Sequence, residues 1–206
     1  MNTTNVKKYD LQDFSIINSE KDFDFHIWQP KENYIVLGRS NSVEKSVNTE
    51  EIIKNKIAVY KRPSGGETVI LTPNTLVFSV KLKINDNSHD YFRLINDRII
   101  QSLENLGIKD VSMKGISDIS IGEKKILGSS IYRKKDMLFY HAVLNVSEKT
   151  EIIQKYIKHP KREPDYRKGR KHCDFVSSIK AEGYDISISE IRAKLNAYLF
   201  SLKSLS

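Results

Sequence analysis

Two adjacent glycines, Gly65 and Gly66, separate apolar segments whose β-branched residues predict short strands. Because glycine has no Cβ, the backbone of this turn can take positive φ and approach a ligand closely. Its successive N–H groups can converge on a carboxylate or phosphate, and the guanidinium of Arg62 would add a bidentate cationic fork beside them. The residues alone leave two interpretations open: an anion-binding turn, or an ordinary turn pinned by Ser64.

A second stretch places charged and small residues on neighbouring predicted strands. Asp118 comes first, Lys125 follows a Gly-Glu turn, and the pair Gly128 and Ser129 begins three residues beyond that lysine. A lysine amine can stabilise the negative charge that accumulates in a transition state. From spacing alone, a lysine at a strand edge and an Asp118 that caps a turn are the simpler interpretations.

Together, and in this order, the two stretches resemble the lipoate-protein ligase family, which is related in fold to biotin-protein ligases and lipoyl(octanoyl) transferases. The family's first signature, an Arg and a Ser before a glycine run and a small-hydrophobic pair, matches Arg62, Ser64, Gly65, Gly66, Thr68 and Val69. The second, an Asn-Asp pair, a Lys and a Gly-Ser or Gly-Asn pair, matches Asp118, Lys125, Gly128 and Ser129. Further matches are Gly38, Arg39, Asn41, Asn74, Thr75 and His141. The resemblance implies an α+β, mostly antiparallel catalytic domain of the class II biotin/lipoate ligase type.

The resemblance also implies a reaction that joins a carboxylic acid to a lysine. Ligases of this family use ATP and Mg²⁺ to activate lipoate or octanoate as an acyl-adenylate, which a lysine of an acceptor domain then attacks. Lys125 is the predicted catalytic residue, beside the carboxylate and the α-phosphate. The predicted substrate- and nucleotide-binding residues are Arg62, Ser64, Gly65, Gly66, Thr68, Val69, Ile70, Asp118, Gly128, Ser129 and His141. An apolar tunnel should hold the acyl chain, since each buried methylene contributes roughly 0.8 kcal/mol.

Individual roles follow from the same resemblance. Asp118 is expected to contact the adenine side or a metal-bound phosphate, although no protein metal site is predicted. Gly128 and Ser129 should allow close approach and supply N–H donors to the acyl oxygen. His141 has a simpler interpretation as a sheet histidine whose neighbours satisfy it.

Some features depart from the family pattern. Glu67 stands where the family has a third glycine, so a carboxylate would repel a phosphate, recruit Mg²⁺ or favour a different acyl group. Ala142 replaces a glycine, the family's N-terminal helix is not evident, and the chain is too short for an accessory C-terminal domain. These departures leave open a partner subunit, the transfer half-reaction alone, or a diverged paralogue.

Charge points to an acidic partner. The net charge is +8, which favours association with acidic surfaces. The basic residues concentrate near the C-terminal end, at Lys155, Lys158, Lys161, Arg162, Arg167, Lys168, Arg170 and Lys171. This basic segment is either a solvated loop or a docking surface for an acidic lipoyl acceptor domain or for nucleotide phosphates.

Two other functions stay open. The first is octanoyl or lipoyl transfer from a thioester donor without ATP, in which Lys125 would serve equally. The second is a non-catalytic basic module that docks nucleic acid. Aromatic residues are sparse in the basic segment and no known nucleic-acid motif is present, so nucleic acid is the less favoured partner.

Composition is consistent with a single catalytic domain spanning residues 1–206. Hydrophobic residues make up 39% and charged residues 29%, as in ordinary globular proteins. No apolar run reaches the roughly 20 residues of a membrane helix, and the N-terminus lacks the apolar core of a signal peptide, so we expect a cytoplasmic protein. Cys173 is the single cysteine, which excludes an intramolecular disulfide and leaves a nucleophilic role open.

Elements able to position these residues are predicted by periodicity and composition. Strands are expected at residues 14–17, 25–29, 34–37, 57–60, 68–72, 75–83, 116–121, 125–132 and 137–146. Helices are expected at residues 48–56 and 148–157, after Ser88 up to Gly107, and from Ser187, where Glu190 completes a capping box.

Overall fold

The computed structural model describes residues 4–84 and 90–205. The strands are β1 (Val6–Lys8), β2 (Phe23–Trp28), β3 (Tyr34–Leu37), β4 (Ala58–Lys61), β5 (Val69–Leu71), β6 (Thr75–Lys83), β7 (Val111–Lys114), β8 (Asp118–Ile121), β9 (Lys124–Lys134) and β10 (Met137–Asn145). The helices are α1 (Val43–Ser46), α2 (Thr49–Lys54), α3 (Tyr91–Glu104), α4 (Thr150–Tyr156), α5 (His172–Phe175) and α6 (Ile188–Phe200). Short 3₁₀ turns span Gln12–Asn18, Asp165–Arg167 and Ser201–Leu205.

Within the described residues, the strands form a six-stranded and a four-stranded sheet. The larger sheet has the order β2-β6-β10-β9-β8-β7 and is antiparallel throughout. The smaller sheet has the order β1-β4-β3-β5, in which β4 runs parallel to both β1 and β3. The predicted α+β class with mostly antiparallel pairing is therefore confirmed.

Side chains along β6 and β10 alternate between the two faces of the larger sheet. One face is covered by helices, and the other faces the site. Leu76, Phe78, Val80 and Leu82 of β6 pack in one core with α3 and α6. Their neighbours Thr75, Val77 and Ser79 point the other way, because successive side chains of a strand alternate between faces. Val77 joins Val36, Tyr60 and Leu71 in a second core between the two sheets. Polar side chains on this inner face are thus available for a site.

The two longer helices lie where periodicity predicts them. Asp90 caps α3 by accepting from Arg93 N at 3.1 Å, while Ser88, which precedes the predicted helix, lies outside the described residues. At the start of α6, Ser187 Oγ accepts from Glu190 N, and the glutamate accepts in return from Ser187 N. The predicted capping box is confirmed.

One predicted strand is wrong. Residues 14–17 form part of the 3₁₀ turn Gln12–Asn18 instead, because the buried carboxylate of Asp13 ties this segment to the strands. Asp13 accepts from Tyr9 Oη at 2.8 Å, Trp28 Nε1 at 3.1 Å and Ser79 Oγ at 2.6 Å. Aromatic and β-branched composition suggested a strand, but tertiary hydrogen bonds decided the backbone conformation.

Across residues 4–84 and 90–205, every helix is too short or too polar to cross a membrane.

Candidate active site

A buried arginine holds the glycine turn in place. Arg62 Nη2 donates to the carbonyl oxygens of Gly65 and Glu67, each at 2.8 Å. Its Nη1 donates to Val36 O at 3.2 Å, and its Nε donates to Ser64 Oγ at 3.1 Å. Burial lowers the pKa of Arg62 to about 10, so the guanidinium remains protonated at neutral pH. The fork donates to the protein's own turn, and Arg62 also borders the cleft described below. Its predicted contact with a ligand stays a prediction.

Close approach of two backbone segments makes glycine necessary at position 38. A Cβ on Gly38 would lie 1.9 Å from Gly66 O and 2.7 Å from Asn41 Oδ1. Asn41 Oδ1 accepts from Gly38 N at 3.0 Å and from Thr68 Oγ1 at 3.3 Å, and its Nδ2 donates to Glu67 Oε2 at 3.3 Å. Gly66 has φ of 84°, which favours glycine. The turn is therefore packed on the loop that follows β3.

Ser64 links the glycine turn to the larger sheet. Its Oγ lies 2.5 Å from His141 Nε2 on β10 and 3.0 Å from Ser130 Oγ on β9. Burial, reinforced by the positive charge of Arg62, holds the pKa of His141 well below its usual range, so the imidazole is neutral. His141 is thus a buried, partnered histidine that also borders the cleft described below.

A β-bulge brings Lys125 onto the inner face of the larger sheet. Asp118 on β8 lies opposite Gly128 on β9, but the register shifts between Ile119 and Ser120, which places Lys125 opposite Ser120. Strict alternation would send Lys125, three residues before Gly128, to the other face. A bulge adds one residue to a strand and re-aims the side chains beyond it. The shift returns the lysine to the face that carries Asp118.

Lys125 and Asp118 form an ion pair at the cleft. Lys125 Nζ lies 2.8 Å from Asp118 Oδ1, with the side chains 28% and 10% exposed. A Cβ on Gly128 would lie 3.0 Å from both Cε and Nζ of the lysine, so this glycine makes room for the lysine side chain. The amine stays accessible enough to meet a ligand and is held by a nearly buried carboxylate.

Tyr166 joins Lys125 and Asp118 at the cleft, and the sequence did not predict it there. Its hydroxyl donates to Asp118 Oδ2 at 2.8 Å, and burial together with the charge of Asp118 raises the pKa of Tyr166. The ring lies 5.1 Å from that of Phe175 and near Gly115, whose φ is 58°. Because the contact joins residues 48 positions apart, sequence spacing carries no signal for it.

The glycine turn and the lysine strand border one cleft of about 1100 Å³. Asn41, Arg62, Gly66, Glu67 and Thr68 line it from the smaller sheet and its loops, and Asp118, Lys125, Gly128, Ser130 and His141 line it from the larger sheet. Between them are apolar side chains, namely Val36, Val69, Ile70, Leu71, Val77, Leu127 and Val143. The cleft thus combines a polar rim with an apolar interior.

Two predicted residues have a different placement from the one expected. Gly65 borders a separate pocket of about 460 Å³, together with Arg39 and Arg133. Ser129 borders the main cleft, but its N–H and its Oγ both donate to Ser117 O, at 3.2 and 2.7 Å. The amide of Ser129 is therefore engaged, which corrects its expected role as a donor to an acyl oxygen.

Part of the basic segment is structural. Arg167 is buried, pairs with Glu163 at 3.3 Å, and stacks at 4.7 Å on the ring of Phe175. Arg170 stacks on the same ring at 5.2 Å and donates to Tyr166 O. The segment nevertheless borders the cleft through Lys158, Lys161 and Arg162. The free Cys173 is exposed and does not belong to the cleft lining.

Side chains grouped as a ready metal site are absent from the described part of the chain. Among residues 4–84 and 90–205, no three or more His, Cys, Asp or Glu side chains are grouped to hold one. Asp118 is the carboxylate beside Lys125. Mg²⁺ commonly uses one or two carboxylates together with substrate phosphates and water, and Asp118 fits that kind of site.

Comparisons with known proteins agree on one family. The pattern of the lipoyl protein ligase A/B catalytic domain matches residues 9–200. Lipoate–protein ligase 1 of Staphylococcus aureus is 30% identical over 139 residues, which cover 68% of this chain and 41% of that protein. The matches span less than two thirds of the length of such curated relatives.

Solved structures show the same fold. One is from the lipoylation system of Thermoplasma acidophilum, a bipartite lipoate protein ligase with its E2 lipoyl domain. The two chains align with a TM-score of 0.77 and 25% identity, and the alignment covers 90% of this chain and 72% of that chain. A lipoate-protein ligase A bound with ATP has a TM-score of 0.78 and 24% identity, covering 93% and 78%.

Proposed function

The chain belongs to the lipoyl protein ligase A/B catalytic domain family, and we propose that it activates lipoate or octanoate with ATP and attaches the acyl group to a lysine of a lipoyl acceptor domain. The observation that carries this proposal is the placement of Lys125 across one cleft from the glycine turn. The chain would contribute one catalytic domain to this reaction.

Lys125 is assigned the catalytic role. Attack of a carboxylate on ATP accumulates negative charge at the α-phosphate, and a fixed ammonium stabilises that charge. Asp118, 2.8 Å from Lys125 Nζ, orients the amine. Lys125 would hold the phosphate of a bound nucleotide, and Asp118 would be the carboxylate to hold a Mg²⁺ ion, which would neutralise phosphate charge.

The apolar interior is assigned to the acyl chain. Side chains such as Val36, Leu71, Val77 and Val143 line the cleft between the two sheets. Burying an eight-carbon chain there contributes roughly 0.8 kcal/mol per methylene. Lipoate and octanoate share this length, so the lining supports both equally.

The nucleotide and the protein partners are assigned by analogy. The solved ligase with ATP has this fold, so the fold can accommodate a nucleotide. The Thermoplasma ligase is bipartite and was solved with its E2 lipoyl domain, which supports a lipoyl acceptor and a second subunit here. The basic side chains at the cleft mouth, Lys158, Lys161 and Arg162, suit an acidic acceptor.

Mass spectrometry of a lipoyl domain tests the proposal. The domain is incubated with the protein, ATP, Mg²⁺ and lipoic or octanoic acid, and the acylated product is measured together with pyrophosphate. We expect acylation that Lys125→Ala abolishes and that Lys124→Ala, at the exposed neighbouring position, leaves intact. Equal product from both variants would refute the role of Lys125. Product without pyrophosphate, from a thioester donor alone, would replace the ligase by a transferase.

A further inference from the structure

Glu67 is a positioned carboxylate on the wall of the cleft opposite Lys125. Its main-chain carbonyl accepts from Arg62 Nη2 at 2.8 Å, and its Oε2 accepts from Asn41 Nδ2 at 3.3 Å. The residue is half-buried and borders the cleft. Backbone and side chain are both held, so the carboxylate has a defined direction.

Glu67 also retains free acceptor capacity. Among the described residues that line the cleft, Asp118 is paired with Lys125 and Tyr166, and Glu163 is paired with Arg167. Glu67 has no ion pair there, and its one side-chain partner is a neutral amide. A carboxylate offers about four lone-pair sites, so most of those of Glu67 remain available. Asp165 and Glu148 also line the cleft without an ion pair. Asp165 is exposed on the 3₁₀ turn of the basic segment. Glu148 is buried, and both of its carboxylate oxygens accept hydrogen bonds, from Lys149 N at 2.9 Å and from Asn74 Nδ2 at 3.2 Å.

Glu67 and Lys125 border the cleft from different sheets. Glu67 lies in the loop that leads into β5 of the smaller sheet, and Lys125 lies on β9 of the larger sheet. The glycine turn comes close to β9, since a Cβ on Gly66 would lie 3.8 Å from Ser130 Cβ. A group bound in the cleft can therefore meet side chains from both sheets.

We propose that Glu67 binds the amine of the acceptor lysine and accepts the proton that its nitrogen sheds during transfer. This inference rests on the proposed function. The neutral amine attacks the carbonyl carbon of the acyl-adenylate and forms the C–N bond. The C–O bond to the phosphate breaks, and AMP leaves with the electron pair. The nitrogen passes one proton to Glu67, which then releases it to solvent.

A carboxylate in this place would help transfer without helping adenylation. It accepts N–H hydrogen bonds from an amine, and a positioned base contributes about 10²- to 10⁴-fold to a proton transfer. The same negative charge gives no stabilisation to the phosphates of ATP. The two half-reactions should therefore respond differently to its removal.

The experiment separates the half-reactions by supplying preformed lipoyl-AMP. Glu67→Gln is compared with the wild-type protein and with Glu50→Gln, an exposed position on α2 that removes the same charge. Adenylation is followed by pyrophosphate release, and transfer is followed by mass spectrometry of the lipoyl domain. We expect Glu67→Gln to lower transfer at least about 100-fold, with adenylation unchanged and Glu50→Gln like the wild type. Glu67→Asp should restore part of the transfer.

The other outcomes overturn this inference, the proposed function, or both. A parallel loss of adenylation and transfer would place Glu67 at the nucleotide or its metal ion. Unchanged transfer would remove it from the reaction. If the wild-type protein acylates the lipoyl domain from supplied lipoyl-AMP but forms no lipoyl-AMP from ATP, the adenylation half of the proposed function fails. The transfer assay still tests the role of Glu67 in that case. Inactivity of the wild-type protein in both halves would overturn the proposed function and, with it, this role.

Discussion

Replacing Gly38 by alanine should damage the glycine turn more than any other single methyl group added nearby. The new Cβ would lie 1.9 Å from Gly66 O, whereas real Cβ contacts are essentially never shorter than 3.0 Å. The difference, 3.0 − 1.9, requires the two backbone segments to separate by at least 1.1 Å. The obstacle is a main-chain oxygen held by its neighbours, so a rotamer change cannot relieve the contact.

The energetic cost follows from what that separation breaks. Overpacking in a tight site costs about 1–3 kcal/mol. The bonds from Gly38 N to Asn41 Oδ1 and from Arg39 N to Ser64 O, at 3.0 and 2.9 Å, contribute about 1 kcal/mol each. A total of about 3–5 kcal/mol would lower Tm by roughly 6–20 °C in a domain of this size. A 1 Å shift of a ligand-lining turn would reduce activity by about 100-fold.

Gly65→Ala is the matched control, in the turn itself. A Cβ on Gly65 meets nothing within 4 Å, its φ is not in the left-handed region, and it borders the smaller pocket. We expect its Tm within a few degrees of the wild type, measured by circular dichroism, and its lipoyl-domain acylation largely retained. If Gly38→Ala matches Gly65→Ala in both measurements, the packing of the turn on the loop after β3 is not what this structure indicates.

Two further predictions concern the lysine and a buried carboxylate. Gly128→Ala should displace the amine of Lys125, because the added Cβ would lie 3.0 Å from Nζ. We expect the adenylation rate to fall roughly tenfold or more with Tm nearly unchanged. An adenylation rate equal to that of the wild type would contradict this prediction. Burial raises the pKa of the Asp13 carboxyl above its usual 3.8, so the folded state binds the carboxyl proton more tightly than the unfolded state. The free energy of unfolding should therefore decline as pH rises from 3.8 through the folded-state pKa. Asp13→Asn lacks this proton, so urea titrations from pH 4 to pH 8 should show its stability improving relative to the wild type as pH rises; a constant difference would refute the assignment.

Much of the fold could be predicted from the sequence because its periodicities are strong. The predicted strands at residues 34–37 and 75–83 coincide with β3 and β6, whose apolar faces meet well-defined cores. The two long helices followed from their apolar spacing and caps. The segment at residues 14–17 could not be predicted in this way, since Asp13 fixes it through contacts with residues far along the chain.

The candidate site shows a similar division. Residue types identified the glycine turn and Lys125, and the structure places both on one cleft. The sequence did not reveal that Ser130 rather than Ser129 presents its hydroxyl to Ser64. That choice depends on which face of β9 each residue occupies, and therefore on strand pairing.

By itself, then, the sequence determined the chemical groups and their order along the chain. These are the glycine turn, an acidic residue, and the lysine that follows that acidic residue. The tertiary structure alone decided their directions. The register shift opposite Ile119 and Ser120 turns Lys125 toward Asp118, and Tyr166 reaches the same carboxylate from a distant loop. The physical reason is that a strand has two faces, and one inserted residue, which no local pattern reveals, exchanges them.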